Sequence, residues 1–240
     1  MNEVPPGLSE RPRRGFDPRW LPLGVTTIGS FMSILDTNVI NIALPTMLSH
    51  FNTSLSNGQL VLTSYLMALA VVIPLSGWLG ERAGMKRLYM VTLALFVAGS
   101  ALCGLAWDVE SLIFFRVLQG LGGGMLQPVG MALVFTTITP LERPKFIALL
   151  GIPNLLAPLF GPSLGGYIVE YASWRMVFLI NVPVGIIDIF LAYHLLRETP
   201  ARAETRLETS GVSHWPQSPS RACCWGYRRA RSWAGTRPSC

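Results

Sequence analysis

Residues 21–44 read LPLGVTTIGSFMSILDTNVINIAL, 24 residues in which Asp36 is the sole charged side chain. Crossing the roughly 30 Å of bilayer hydrocarbon takes about 20 mainly apolar helical residues, so this run is long enough to span. It is not a cleaved leader: the run is long, holds an acid, and continues to Pro45 instead of a small-residue cleavage site. Five more stretches meet the same requirement, at 60–79, 88–107, 112–138, 146–169 and 176–196. The expected fold class is an all-α membrane protein, a bundle of six transmembrane helices.

Composition points the same way. Half of the 240 residues are apolar and 13% are charged, with a mean hydropathy of +0.43, whereas soluble domains carry about a quarter charged residues. The net charge of +6 does not indicate nucleic acid: residues 1–200 hold twelve Lys and Arg against eleven Asp and Glu, and residues 201–240 hold seven Arg against two Glu. The four cysteines lack metal-type spacing, so neither a metal site nor a disulfide framework is expected.

The basic residues between the spans set an expected orientation. Arg11, Arg13, Arg14 and Arg19 precede the first span; Arg82, Lys86 and Arg87 follow the second; Arg143 and Lys145 follow the fourth; Arg197, Arg202 and Arg206 follow the sixth. The other loops hold Arg175 alone. Both ends of the unit should therefore be cytoplasmic in a multi-pass plasma-membrane protein, with the loops near His50, Asp108 and Tyr171 outside.

Three segments are expected: a disordered cytoplasmic lead at 1–19, the six-helix bundle at 20–200, and a basic, disordered tail at 201–240. The tail has no Lys, Ile or Phe, yet has three Trp, six Ser and seven Arg. Such a mixture is what a GC-rich gene yields out of frame, and a frameshift shortly after about Arg206 is the expected cause; a basic membrane-surface tail is the rival.

An ionised carboxylate in hydrocarbon is costly, so Asp36 must face the protein interior, pair with a cation or take up a proton. Each option makes it a candidate proton site; a permanently hydrogen-bonded structural acid is the alternative. Arg116, in the run FRVLQGLGGG at 115–124, is the matching cation. At 1.5 Å per residue, Asp36 lies roughly 13 Å and Arg116 roughly 7 Å from the outer ends of their spans. Both fall in the same half of the membrane, close enough in depth to meet, with snorkelling to headgroups as the other reading of Arg116. Asn38, Asn41 and Gln119 add uncharged polar groups to these two spans. Asp188 and His194 in the sixth span have no evident partner. The glycines after Arg116 indicate close helix packing, not phosphate binding.

The link GWLGERAGMKR at 77–87 sets Gly77, Glu81, Arg82, Gly84, Lys86 and Arg87 in a tight turn whose ion pairs can form and break as helices rock. In the fifth span, Pro153, Pro158 and the run GPSLGG at 161–166, with Gly161, Pro162, Gly165 and Gly166, remove helix hydrogen bonds. That helix is expected to bend and to line the central interface.

These runs, in this order, resemble the major facilitator superfamily, specifically its fourteen-span drug:proton antiporter branch, the EmrB/QacA-like transporters. Leu35, Asp36, Asn41, Ala43, Leu44 and Pro45 match the first-span signature, with Asn38 replacing Thr. Gly77, Leu79, Arg82, Gly84 and Lys86 match the loop signature, where Glu81 stands for Asp and Met85 for a basic residue. Arg116, Gln119, Gly120 and Gly122 match the fourth-span signature, and Gly161, Pro162, Gly165 and Gly166 the antiporter element, with Ala157 at its first glycine. Trp174, Arg175 and the run FLINVPVG at 178–185 complete the set.

The resemblance implies one half of a two-bundle transporter, without cofactor or enzymatic activity. Its cargo would be a small amphipathic compound exported against inward proton flow, with Asp36 and Arg116 in the coupling path. Residues Asn38, Asn41, Gln119 and 161–166 would serve the cavity or gate, and 77–87 a conformational latch. A truncated half would need a second half-transporter or a homodimer; a non-transporting, inactive half is the alternative. An importer of the same fold is a nearer rival, which the 161–166 element disfavours. No HExxH pair or GxSxG elbow supports a membrane enzyme.

Overall fold

A computed structural model of the chain describes residues 21–196, all within the unit Met1–Ala201. The segments 1–19 and 201–240, with the frameshift expected in the second, lie outside the described residues. With no water in the bilayer core, backbone polar groups must be satisfied within each segment, and the described chain is correspondingly helical. The helices are α1 (Leu21–Phe51), α2 (Leu55–Ala83), α3 (Met85–Gly104), α4 (Val109–Thr137), α5 (Arg143–Tyr171), α6 (Met176–Leu179) and α7 (Asn181–Leu195). All six expected spans are present as long apolar helices. The sixth is divided at Ile180 into α6 and α7.

Polarity is distributed as a lipid solvent requires. Leu66, Met67, Val71, Val91, Phe114 and Phe190 are exposed, whereas Asp36, Arg116, Gln119, Asn181 and Asp188 are buried. The chain is a multi-pass membrane protein, turning apolar surface outward and polar groups inward.

α4 is the central element, packed on α2, α3 and α1, while α1 also carries α5 and α7. Its glycines make this possible. A Cβ on Gly120 would stand 2.7 Å from Tyr65 O on α2, and one on Gly124 2.9 Å from Leu69 Cα. On the α3 side, a Cβ on Gly122 would meet Phe96 N at 2.5 Å and Thr92 O at 2.6 Å. α5, in contrast, is the least buried of the six spans. It runs as one continuous helix from Arg143 to Tyr171, with Pro158 and Pro162 inside it.

The loops sort to two ends. At one, Arg175 donates to Ala106 O at 3.0 Å, stacks 4.5 Å over Trp174 and approaches His50 Nε2 at 3.5 Å, joining two interhelical links to the end of α1. Asp108 caps α4 there, accepting from Ser111 N at 2.6 Å in a reciprocal capping box. The Ser111 donors hold its carboxyl below the usual aspartate range, so the cap's contribution is present above that range and lost as pH falls through the lowered value. At the other end, Lys86 donates to Tyr193 O at 2.9 Å. The loops expected on one side thus do share a side.

Gly84 alone separates α2 from α3. Its φ of 85° and ψ of 137° are accessible to glycine and strained for other residues. Gly84→Ala should cost about 1–3 kcal/mol, read as a lowered midpoint of thermal unfolding in detergent.

Candidate functional site

Two of the apolar clusters in the core of the described unit flank a polar layer. Met32, Phe96 and Met125 belong to one cluster; Leu35, Cys103 and Leu112 belong to the other. Ser100 on α3 and Arg116 and Gln119 on α4 lie between these markers, and on α1 Asp36 follows Leu35 directly; all four are buried.

Asp36 and Arg116, matched only in depth by the sequence, meet directly. Arg116 donates through one terminal nitrogen to Asp36 Oδ2 at 2.7 Å. The same nitrogen donates to Gln119 Oε1 at 2.8 Å, one helical turn along α4. Gln119 closes the ring by donating from Nε2 to Asp36 Oδ1 at 3.0 Å. The Asn181 amide, at the start of α7, reaches the same oxygen at 3.0 Å. Asp36 therefore accepts three hydrogen bonds, one of them from a cation, which is the satisfaction that a buried carboxylate needs.

Around this ring lies a second layer. Gln119 and Asn181 each reach Ser100 Oγ at 3.2 Å, and Ser100 donates to Phe178 O at 2.9 Å. The Arg116 guanidinium lies 4.2 Å over the Tyr65 ring and 5.6 Å over that of Phe178, and among the described residues its Nε has no partner. Tyr65 Oη is 3.1 Å from Ser33 Oγ.

Arg116 thus has more than one set of interactions available. If a proton on Asp36 breaks the pair, the guanidinium keeps the Gln119 carbonyl and the aromatic faces, and cation–π attraction is strongest where water is excluded.

Ser33 leads from this network into an open groove of about 530 Å³ between α1, α2 and α4, walled by Ser30, Thr37, Asn38, Leu66, Gln127 and Met131 among others. Among the described residues lining it, none carries a charge. A second groove of about 510 Å³ lies between α1, α5 and α7, lined by Phe31, Leu35, Phe160, Leu164 and Val184, with Asn181 in its wall.

The remaining predicted residues divide. Asn38 donates to Ile34 O on its own helix at 2.7 Å and packs against Gly161, where a Cβ would stand 2.7 Å from Asn38 Cβ. Gly165 lies against Val39, so the glycine element serves the approach of α5 to α1. Pro162 is exposed and Gly166 faces open space. Asn41 is exposed and bonds Thr37 O. In the link, Arg82 lies 4.4 Å over the Trp78 ring, Gly77 and Glu81 are exposed, and Arg87 is at the surface.

Tyr65, Ser33, Ser100 and Asn181 were missed as site residues. Serine is common in membrane helices and carries little signal alone, but Asn181 stands in a conspicuous apolar run.

This buried acid–base ring sits on a fold of known kind. A family model, the Major Facilitator Superfamily, matches residues 26–236. The chain belongs to the Major Facilitator Superfamily. Among its relatives, a Pectobacterium carotovorum subsp. carotovorum protein that carries the name multidrug resistance protein MdtD is 39% identical over 193 residues, 80% of this chain and 41% of that protein. Its Salmonella typhi namesake is 38% identical over 178 residues, 74% of this chain and 38% of the other. The chain therefore spans less than half the length of these curated relatives. Among solved structures, a bacterial homologue of the human lysosomal transporter Spinster, inward-facing and unoccupied, superposes with a TM-score of 0.65 at 21% identity, over 82% of this chain and 48% of that one. The human organic anion transporter MFSD10 superposes at 0.63 with 18% identity, over 78% and 50% of the two chains. The half-length match with an all-helical transporter fold agrees with the family expected from the motifs, and membership indicates a transporter rather than an enzyme.

Proposed function

We propose that the chain is one half of a proton-coupled exporter of small amphipathic compounds, with Asp36 as the proton-binding group and Arg116 as its displaceable partner. The observation that carries this reading is the buried ring of Asp36, Arg116 and Gln119. In the ionised state the ring is closed. Protonation of Asp36 cancels the charge that holds Arg116, the guanidinium turns to Gln119 and Tyr65, and α1 and α4 are free to shift relative to each other.

The uncharged groove beside Ser33 and Asn38 is the substrate face, and its shape suits an apolar body with a few hydrogen-bonding groups. Transporters of this kind hold substrate between two bundles, so a second six-helix unit, another copy or a separate half, would complete the cavity. The link at 77–87 would serve as a latch on the side facing the cytoplasm, with both ends of the bundle on that side in the plasma membrane.

Flux of ethidium, an amphipathic cation, in proteoliposomes tests the reading. The chain, alone or with a complementary six-helix half, should move ethidium when a pH gradient is imposed and stop when the gradient is collapsed. Equal flux with and without the gradient would refute proton coupling, and no flux in either assembly would refute transport and favour a non-transporting half.

A further inference from the structure

α7 carries a second buried acid, away from the ring at Asp36. Asp188 is completely buried. It lies beside α1 and α3: a Cβ on Gly29 would stand 3.1 Å from Asp188 Oδ2 and would collide with the Tyr89 hydroxyl. Tyr89 Oη, itself buried, is 3.2 Å from Asp188 Oδ2 and 3.2 Å from the main-chain oxygen of Val25. Among the described residues, Asp188 Oδ1 has no partner.

Counting hydrogens decides how these contacts are made. A phenol has one hydrogen, and a main-chain carbonyl can only accept. If Tyr89 donates to Val25 O, the contact between Tyr89 Oη and Asp188 Oδ2 lacks a hydrogen unless Asp188 supplies it. If Tyr89 donates to Asp188 instead, its contact with Val25 O is empty, and a carboxylate able to accept about four bonds receives one.

Among the described residues, the surroundings offer no cation as a substitute. From α3 the group facing Asp188 is Tyr89; from α1 it is the backbone at Gly29 and Val25; α6 has no titratable side chain. Lys86, one turn before Tyr89, is directed to Tyr193 O, and His194 on α7 is exposed.

We propose that Asp188 is a second proton-binding site, occupied in this conformation: the acid donates from Oδ2 to Tyr89 Oη, and Tyr89 donates onward to Val25 O. One proton satisfies both contacts and leaves the Oδ1 of a neutral acid, not of a carboxylate, unpartnered. Gly29 precedes Asp36 by seven residues, about 10 Å along α1, so the two sites would be separate stations along one helix. Releasing this proton requires α1, α3 and α7 to part enough to admit water. The proposal concerns the resting chain and holds whether or not the transport reading does.

Infrared spectroscopy of the full chain in lipid nanodiscs at neutral pH tests it. The spectrum should contain the carbonyl band of a protonated carboxylic acid, absent in Asp188→Asn and retained in Asp36→Asn. A wild-type spectrum without that band, or a band that survives Asp188→Asn, overturns the proposal. Should Asp188→Asn fail to fold, Tyr89→Phe serves: losing the acceptor should move the acid band to higher frequency, and an unmoved band overturns it equally.

Discussion

Arg116→Ala should lower the stability of the six-helix unit by about 3–5 kcal/mol, the usual cost of leaving one member of a buried ion pair without the other. The cavity term from a large buried side chain comes on top. Three donors converge on Asp36, and removing the cationic one leaves a buried carboxylate with two amides. Asp36→Asn should cost less than Arg116→Ala, because the Arg116 guanidinium keeps Gln119 Oε1 and the Tyr65 face. The double variant Asp36→Asn with Arg116→Gln should recover much of the loss, since both charges are then gone. Thermal unfolding in detergent of Asp36→Asn, Arg116→Gln and their double variant closes a double-mutant cycle and gives the coupling directly. Losses that simply add would mean that the pair is not energetically linked.

The second large effect is expected at the α3–α4 seam. Gly122→Val should prevent the native packing of α4 on α3, because the added atoms would meet the backbone of Phe96 and Thr92, and backbone cannot yield as a side chain does. Overpacking a core typically costs roughly 1–3 kcal/mol, and this case belongs at or above the upper end. Gly166→Ala, where the added Cβ meets nothing within 4 Å, is the control and should leave the unfolding midpoint unchanged or slightly raised, since alanine favours a helix over glycine. Equal behaviour of the two variants would contradict the assigned seam.

All six spans were legible in the sequence because lipid demands long apolar helices, and length alone reveals them. The division at Ile180 was not, since residues 176–196 are mainly apolar and Ile180 keeps helical angles, φ −63° and ψ −28°, so hydropathy does not register it. Asp36 and Arg116 were readable as candidates from their cost in hydrocarbon, and their depths placed them near one another. Azimuth was missing: depth did not say that Gln119 would close the ring or that Asn41, three residues beyond Asn38, would turn outward to bond its own helix. Ser100 and Tyr65 were invisible for the same reason, as their roles depend on which face of α3 and α2 meets α4. Gly84 announced its turn through its place between charged residues, and its positive φ agrees.

The most direct test of the central claim is the affinity of ethidium for the purified assembly as a function of pH. Competition between a proton and substrate makes binding tighten as pH rises through the titration of the coupling group, and linkage requires the reciprocal effect on the proton. The wild-type protein should show this dependence and Asp36→Asn should lose it. A pH dependence that Asp36→Asn retains unchanged would remove Asp36 from the coupling path and with it the account given for the ring.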